Sequence, residues 1–193
     1  MLSTASLLAT ILAAGFMAGE WPTYPVAKAP AELQPLIQHA DLVIVSLQSA
    51  VLRELNAAIA EGGPEHALKS CHVEPAALAL AVSRHEGVTA GRTSVRLRNP
   101  RNVPPVWAAA IVAQQHATAA RDAGGFVVDL GERVGVLRPI VEQTMCAACH
   151  GPADRIPPGV KAAIAARYPA DRAVNFNVGD LRGWFWVEVP KSL

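Results

Sequence analysis

Residues 126–141 read FVVDLGERVGVLRPIV and contain the pattern that decides the fold. Gly124 and Gly125 come directly before them, and paired glycines commonly separate one element from the next. Two runs rich in strand-forming residues follow, at 126–130 and 134–141. Because only a few residues separate these runs, they predict two adjacent strands joined by a tight turn. The centre of the fold is therefore expected to be a β-sheet.

Two further stretches extend the predicted sheet. Residues 92–98 alternate apolar with polar side chains, which is the period of a half-buried strand. Residues 183–190 (GWFWVEVP) are rich in aromatic and β-branched residues, and we expect Trp184 and Trp186 to be strand and core residues. Four strands interleaved with helices favour a mainly antiparallel α+β domain over a helical bundle.

The stretches outside the strands predict helices. Between residues 31 and 61, apolar side chains recur every three or four positions, which predicts one long amphipathic helix. Gly62-Gly63-Pro64 is expected to end it. Shorter helices are predicted at about 65–72, 75–85, 104–121 and 160–168.

The composition excludes several classes of protein. The chain has 193 residues, enough for one domain and an extension. Hydrophobic residues make up 51% of it and charged residues 17%, so a packed core is expected rather than disorder. The net charge of +1 leaves no basic field to hold nucleic acid, which we exclude as a partner. Three cysteines are too few for a disulfide scaffold.

Residues 1–19 form an uncharged, largely apolar leader. Its apolar stretch suits a signal peptide better than a full bilayer span, so we expect export to the periplasm. A positive N-terminal region and a clean cleavage site are missing, which leaves an uncleaved membrane anchor or a buried helix as alternatives. The predicted organisation is a leader at 1–19, a Pro-rich linker at 20–30 and a single domain at 31–193.

Cys146-Ala147-Ala148-Cys149-His150 has the C-x-x-C-H pattern of covalent c-type haem attachment. Cysteines three positions apart share a helix face, so both sulfurs can form thioethers with the two vinyl groups on one haem edge. His150 follows at once and is placed to ligate the iron from the proximal side. The motif occurs once, so we predict one covalent haem c.

Other chemistry fits this cysteine pair less well. A structural zinc site would need Cys71, which lies far away along the chain, whereas zinc sites usually pair their cysteines closely. A dithiol redox motif would require a thioredoxin-like β-α-β context, and the pattern shows none. A plain disulfide between Cys146 and Cys149 is the remaining alternative. Haem attachment also requires export, which agrees with the leader.

The distal iron ligand is not settled by the motif. Electron-carrying cytochromes c usually place a methionine opposite the histidine. Here Met1 and Met17 belong to the leader, and Met145 adjoins Cys146 on the attachment side. An unpaired thiol in an exported protein is prone to oxidation unless it is buried or bound to metal. Cys71 is therefore either a distal ligand or a small buried residue.

Histidines form the other set of distal candidates. They are His72, the neighbour of Cys71, together with His39, His66, His85 and His116. Most lone histidines are solvated or satisfied by hydrogen bonds, which is the expectation for His39, His66 and His116. His72 stays as the neighbouring alternative to the thiol.

Several motifs outside the cysteine pair point to a known family. They are Gly91-Arg92-Thr93-Ser94, Arg98-Asn99-Pro100, Arg138-Pro139-Ile140, Tyr168-Pro169-Ala170-Asp171-Arg172-Ala173 and Gly179-Asp180-Leu181-Arg182-Gly183. With the cysteine motif, they resemble exported single-haem c domains with a PAS-like fold and His/Cys axial ligation, found alone or within bacterial signalling proteins. The resemblance covers about residues 31–190. Ala108 and Asn175 depart from it, standing where the family has an acidic residue and a glycine, but asparagine tolerates left-handed backbone nearly as glycine does.

The resemblance implies a PAS-like antiparallel sheet flanked by helices, with the haem against the sheet. It also implies that Cys71 ligates the iron opposite His150, with His72 as the chief rival. Three arginines are available either to pair with haem propionates or to form the solvated face of a strand: Arg92, Arg96 and Arg98.

Two classes of function follow from these expectations. We predict a haem sensor in which a redox change or a small diatomic ligand displaces the distal residue, and a separate signalling partner receives the signal. The alternative is a low-potential electron carrier with a redox partner, because a thiolate ligand favours ferric iron. An enzyme is not predicted, since the chain offers no identifiable acid or base groups for one.

Overall fold

The computed structural model describes residues 21–70 and 74–192. Its strands form one antiparallel sheet in the order β1-β3-β4-β5-β2. They are β1 (Thr23–Pro25), β2 (Thr89–Thr93), β3 (Phe126–Asp129), β4 (Arg133–Val141) and β5 (Leu181–Pro190). The helices are α1 (Gln34–Ser70), α2 (Glu74–Glu86), α3 (Val106–Gln114), α4 (Ala147–His150) and α5 (Pro158–Arg167). The mixed α+β class predicted from the sequence is confirmed.

The hairpin formed by β3 and β4 confirms the strand pair predicted from 126–141. Phe126 lies opposite Leu137 and Asp129 opposite Val134. Gly131 closes the turn with a φ of 85°, a left-handed conformation that glycine adopts at no steric cost. Its N–H donates to Oδ1 of Asp129 at 2.9 Å. The turn therefore sets the register of the two strands.

The carboxyl-terminal strand lies inside the sheet rather than at its edge. β5 pairs with β4 on one side and with β2 on the other. Trp184 is 1% exposed, in agreement with the strand and core position predicted for it. Both faces of the central strands are covered, because one face packs on α1 and the other on α3. This explains why the strand sequences are nearly continuous apolar runs.

The strand predicted at 92–98 is largely wrong. The ladder partner of β5 is Thr89–Thr93, and the chain leaves the sheet after Thr93. The Ser94 hydroxyl donates to the carbonyl of Arg182 at 2.9 Å, and the carbonyl of Leu97 accepts from the N–H of Arg172 at 2.9 Å. Bonds to the segments around 172 and 182 thus replace the expected ladder, and Val95, predicted to face the core, is exposed.

The predicted helix boundary at Gly62-Gly63-Pro64 is confirmed as a break inside α1. The backbone leaves the helical conformation there, with φ of −153° at Gly62 and 76° at Gly63, and a second helical stretch continues to Ser70. The helices predicted at 31–61 and 65–72 are therefore the two halves of the kinked element α1. Ile37, Val43 and Leu47 pack from it into the core against the sheet.

The opposite face of the sheet carries α3, which ends before the predicted limit of 121. Nε1 of Trp107 donates to Oε1 of Glu188 at 2.8 Å, which fastens the helix to β5. A Cβ at Gly135 would lie 2.9 Å from the Trp107 ring, so this close approach requires glycine. The predicted linker at 20–30 contains β1, whose residues pair with β3. These residues are therefore part of the sheet.

One helical segment of the described chain, Ala31–Leu68, is long and apolar enough to cross a membrane by length and composition. Part of its apolar surface packs against the sheet, whereas Leu42 and Val45 are exposed. The leader predicted at 1–19 lies outside the described residues, as do Cys71 and His72.

Candidate functional site

The cysteine motif follows directly from the end of β4. A 3-10 turn at Thr144–Cys146 leads into the single turn of α4, so Cys146 and Cys149 have the helical spacing that the sequence predicted. Both side chains are half-buried, and neither cysteine forms a disulfide within the described chain. A Cβ at Gly151 would lie 2.6 Å from the Ala147 carbonyl oxygen, so glycine is needed directly after the motif.

The imidazole of His150 is oriented by a backbone carbonyl. Its Nδ1 lies 2.7 Å from the carbonyl oxygen of Ala173 and donates its proton there. The N–H of Phe176 donates to the carbonyl of His150 at 3.0 Å, which ties the same loop to the motif. This tautomer leaves the lone pair of Nε2 for a metal, which is the usual arrangement of a ligating histidine.

The electrostatic surroundings keep His150 neutral. Burial lowers its pKa well below the ordinary value, and the positive charges of Arg182 and Arg98 lower it further. The Ala173 hydrogen bond opposes this effect without overcoming it. A neutral imidazole is the form that binds iron.

Arg98 holds the backbone on both sides of His150. Its Nη2 donates to the carbonyls of Cys149 at 2.5 Å and Ala173 at 3.2 Å. It also forms a salt bridge to Oδ2 of Asp171 at 3.2 Å, in which the two side chains are 11% and 8% exposed. The other carboxylate oxygen of Asp171 accepts from the N–H of Ala173 at 2.8 Å. The pair therefore fixes the carbonyl that orients the imidazole.

Arg96 supports the next part of the same loop. Its guanidinium lies 3.4 Å from the centre of the Phe176 ring and donates to the carbonyls of Val174 and Asn175 at 3.1 and 3.2 Å. Asn175 has a φ of 62°, so the departure from glycine noted in the sequence preserves a left-handed turn. Arg92 acts on His150 through its charge, as one of the groups that lower the histidine's pKa.

Sequence reasoning gave no role to two residues of this site. Arg182 is the second residue of β5. Its buried Nε has no hydrogen-bond partner in the described structure, and burial lowers its pKa to about 10. Glu142 follows β4 directly, is 1% exposed, and has a pKa raised to about 7, chiefly by burial. Arg182 lies within a motif that the sequence analysis quoted. The sequence gives little indication that Glu142 is buried, since an acidic residue after a strand is ordinarily exposed.

The end of α1 lies beside the attachment helix. Leu68 packs with Ile156, Val160 and Ile164, and Cys149 packs against the same cluster. The carbonyl of Leu68 also accepts from NH1 of Arg167 at 3.2 Å. The described part of α1 therefore ends next to the cysteine motif.

The other described histidines face groups outside the motif. His85 lies 2.8 Å from Glu86 and His66 lies 3.3 Å from Glu61. Nε2 of His39 is 3.9 Å from Oε2 of Glu86 and has no hydrogen-bond partner among the described residues. Nδ1 of His116 is 2.7 Å from the carbonyl of Ala113. In the ranges that the structure covers, no three His, Cys, Asp or Glu side chains converge as a metal site. A zinc site on the cysteine pair would thus have to draw on residues outside them.

The described chain is an antiparallel α+β domain with two thiols, a neutral imidazole and buried arginines around one motif. The chain belongs to the Tll0287-like family, whose model matches residues 28–190. The crystal structure of the cyanobacterial haem-protein Tll0287 is 26% identical to this chain. It covers 84% of this chain and 97% of its own, with a TM-score of 0.57. No curated protein matches the chain.

Proposed function

We propose that the protein binds one haem c, attached through Cys146 and Cys149 and ligated by His150. The observation that carries this proposal is the His150 imidazole, whose Nδ1 is fixed on Ala173 while Nε2 remains available one residue after a helical cysteine pair. The similarity to the haem-protein Tll0287 supports the same cofactor. When bound, the haem would supply a one-electron ferric/ferrous couple.

The charged groups around the motif fit such a cofactor. A haem carries two anionic propionates, and Nε atoms of Arg98 and Arg182 are buried without hydrogen-bond partners within the described residues. Arginine N–H groups bind carboxylates well, often in bidentate pairs. Arg92 is a third candidate because its charge acts on His150. Arg96 stacks on Phe176 and holds the 174–175 carbonyls. We therefore assign the propionates to Arg98, Arg182 and Arg92.

For the distal position we propose Cys71, with His72 as the alternative. The packing of Leu68 against the cluster that includes Cys149 supports an approach of this part of the chain to the haem. A ferric iron stabilises a thiolate, and reduction removes one unit of that charge. The ferrous bond should then be weaker and easier to exchange.

The exchangeable ligand favours a sensor, and a low-potential electron carrier is the alternative. We propose a PAS-like domain exported to the periplasm, cleaved or anchored at the leader, that passes a redox or diatomic-ligand signal to a separate protein. The antiparallel five-stranded sheet flanked by helices, with the carboxyl-terminal strand between β4 and β2, supports the PAS-like description. We propose no enzymatic activity.

The test of haem attachment uses the exported full-length protein, produced with a c-type haem attachment system. Haem should remain on the polypeptide in a denaturing gel, and Cys146→Ala with Cys149→Ala should remove it. Covalent haem retained in that double variant would refute the attachment, and its absence from the wild-type protein would refute the proposal.

Ferric absorption and electron paramagnetic resonance spectra test the distal ligand. Cys71→Ser should abolish a low-spin thiolate signal that His72→Ala, the matched neighbour, retains. The reverse pattern would assign the position to His72 and favour a bis-histidine electron carrier.

A further inference from the structure

Glu142 is a buried acidic residue that, unlike Asp171, has no salt-bridge or hydrogen-bond partner among the described residues. It is 1% exposed, and neither carboxylate oxygen has a hydrogen-bond partner among the residues described. Its backbone is held on both sides, because its N–H donates to the Asp180 carbonyl and its carbonyl accepts from the Gly179 N–H, both at 2.9 Å. These backbone bonds hold residue 142 in a fixed position, where its side chain is buried. A carboxylate in such a place loses hydration without gaining hydrogen bonds, which favours the protonated acid.

Charges from several elements surround this carboxyl. The groups that face it are Arg182 on β5, Asp180 in the turn before β5, Arg98 and Arg96 in the segment after β2, and Cys146 in the turn before α4. The three arginines stabilise the carboxylate, whereas burial and Asp180 oppose ionisation. The balance raises the pKa of Glu142 to about 7, so both protonation states are accessible near neutral pH.

The same charges connect Glu142 to the attachment motif. Arg182 acts on Glu142, on His150 and on Cys146. Glu142 in turn raises the pKa of the Cys146 thiol, which places the carboxyl within electrostatic range of the point where a haem edge would be bonded. Coulomb interactions across a buried region are weakly screened. A change of charge on the haem would therefore act on Glu142.

We propose that Glu142 is a proton-binding site coupled to the haem, so that the protein takes up one proton together with one electron. This inference rests on the haem attachment proposed above. A low-potential one-electron donor reduces the haem from ferric to ferrous, and one proton from solvent adds to a carboxylate oxygen of Glu142. Electron and proton together leave the net charge of the site unchanged, and oxidation releases the proton to solvent.

The direction of the coupling follows from charge. Reduction removes a positive charge near the carboxylate, which then binds a proton more tightly. The ferrous protein thus binds more protons than the ferric protein around pH 7. Linkage requires the midpoint potential to fall as the pH rises through this range.

Spectroelectrochemical titration of the full-length haem protein at a series of pH values measures this coupling. The wild-type midpoint potential should fall with rising pH around neutrality, approaching about 59 mV for each tenfold fall in proton concentration. Glu142→Gln keeps the size and polarity of the side chain but cannot titrate, so its potential should be flat over the same range. Glu142→Asp should retain the slope, as should the matched control Glu132→Gln, which removes an exposed carboxylate from the β3–β4 turn.

A slope that persists in Glu142→Gln would belong to another titrating group, such as a propionate or the distal ligand, and would overturn the proposal. A flat wild-type profile would do the same. If Glu142→Gln does not fold, redox-difference infrared spectra of the wild-type protein test whether a glutamate carboxyl is protonated on reduction. A protonated-carboxyl band sensitive to ¹³C-labelled glutamate must appear on reduction, and its absence overturns the proposal.

In-gel haem staining of the same samples distinguishes failure of the haem-attachment proposal from failure of the Glu142 proposal. Covalent haem with a pH-independent potential refutes only the role of Glu142, whereas a chain without haem refutes both.

Discussion

The central sheet and the loops around His150 are both buried, but they are filled by different side chains. In the sheet, Val127, Val136 and Val187 are fully buried among apolar neighbours. Around His150, the buried groups are charged, with the Arg98–Asp171 pair among them. Apolar burial stabilises a fold without needing a particular partner. Buried charges depend on their partners, and shifted titratable groups cluster at functional sites. The contrast separates the part that maintains the fold from the part that carries the chemistry.

The largest expected effect comes from leaving one charge of the site unpaired. Asp171→Leu removes the partner of Arg98 and the acceptor of the Ala173 N–H, so we expect a loss of about 3–5 kcal/mol in the free energy of unfolding. Denaturant unfolding of the haem protein measures it. Asp129→Leu, which breaks the more exposed bridge to Lys191 and the Gly131 N–H bond of the hairpin turn, is the control and should cost about 1–2 kcal/mol. Equal losses would contradict the comparison.

A cavity in the sheet should cost somewhat less and leave the site intact. Leu137→Ala removes a fully buried side chain from the α3 face, and we expect a loss of about 2–4 kcal/mol. Leu137→Met, which nearly conserves volume, should cost under about 1.5 kcal/mol. The haem spectrum should not change in either variant, and a shifted spectrum would show that sheet and site are coupled.

The next effect, in order of size, is the pH dependence of the unfolding free energy, which tests whether a buried group of the site titrates. The pKa of Glu142 is raised from 4.5 to about 7 in the folded protein, so between these values the folded state binds more protons than the unfolded state. Stability from this group is complete below about pH 4.5 and is lost as the pH rises to about 7, by an amount on the order of 1–3 kcal/mol. The fall in unfolding free energy from acid to neutral pH should be smaller in Glu142→Gln. An identical profile in both proteins would contradict a buried, titrating carboxyl.

The smallest expected effect concerns the turn at Asn175. Asn175→Ala loses the bond from the Ala153 N–H and puts an ordinary residue at a φ of 62°, so it should cost about 2 kcal/mol. Asn175→Gly loses the same bond but relieves the backbone, and about 1 kcal/mol is expected. Thermal unfolding of the two variants compares them. An alanine variant as stable as the glycine variant would remove the role of the left-handed turn.

The hairpin at 126–141 and the strand at 183–190 could be predicted because their patterns are local. The strand at 92–98 could not, since the choice between ladder and loop depended on distant partners: Arg98 bonds to Asp171 and Cys149, and Leu97 to Arg172. The spacing of Cys146 and Cys149 was predictable for the same local reason. No local pattern indicates that Arg96 stacks on Phe176, because the two are far apart in the chain.

The α+β class, the β3–β4 hairpin and the helical spacing of the cysteine motif can be predicted from the amino-acid sequence alone, because each follows from side-chain periodicity over a few residues. Only the tertiary structure decided which carbonyl orients His150, which charges surround it, and that Glu142 is buried. Hydrogen bonds and burial join residues distant in the chain, as the sequence separation of 23 between His150 and Ala173 illustrates. Desolvation, which shifts the pKa of Glu142, exists only once those segments have packed together.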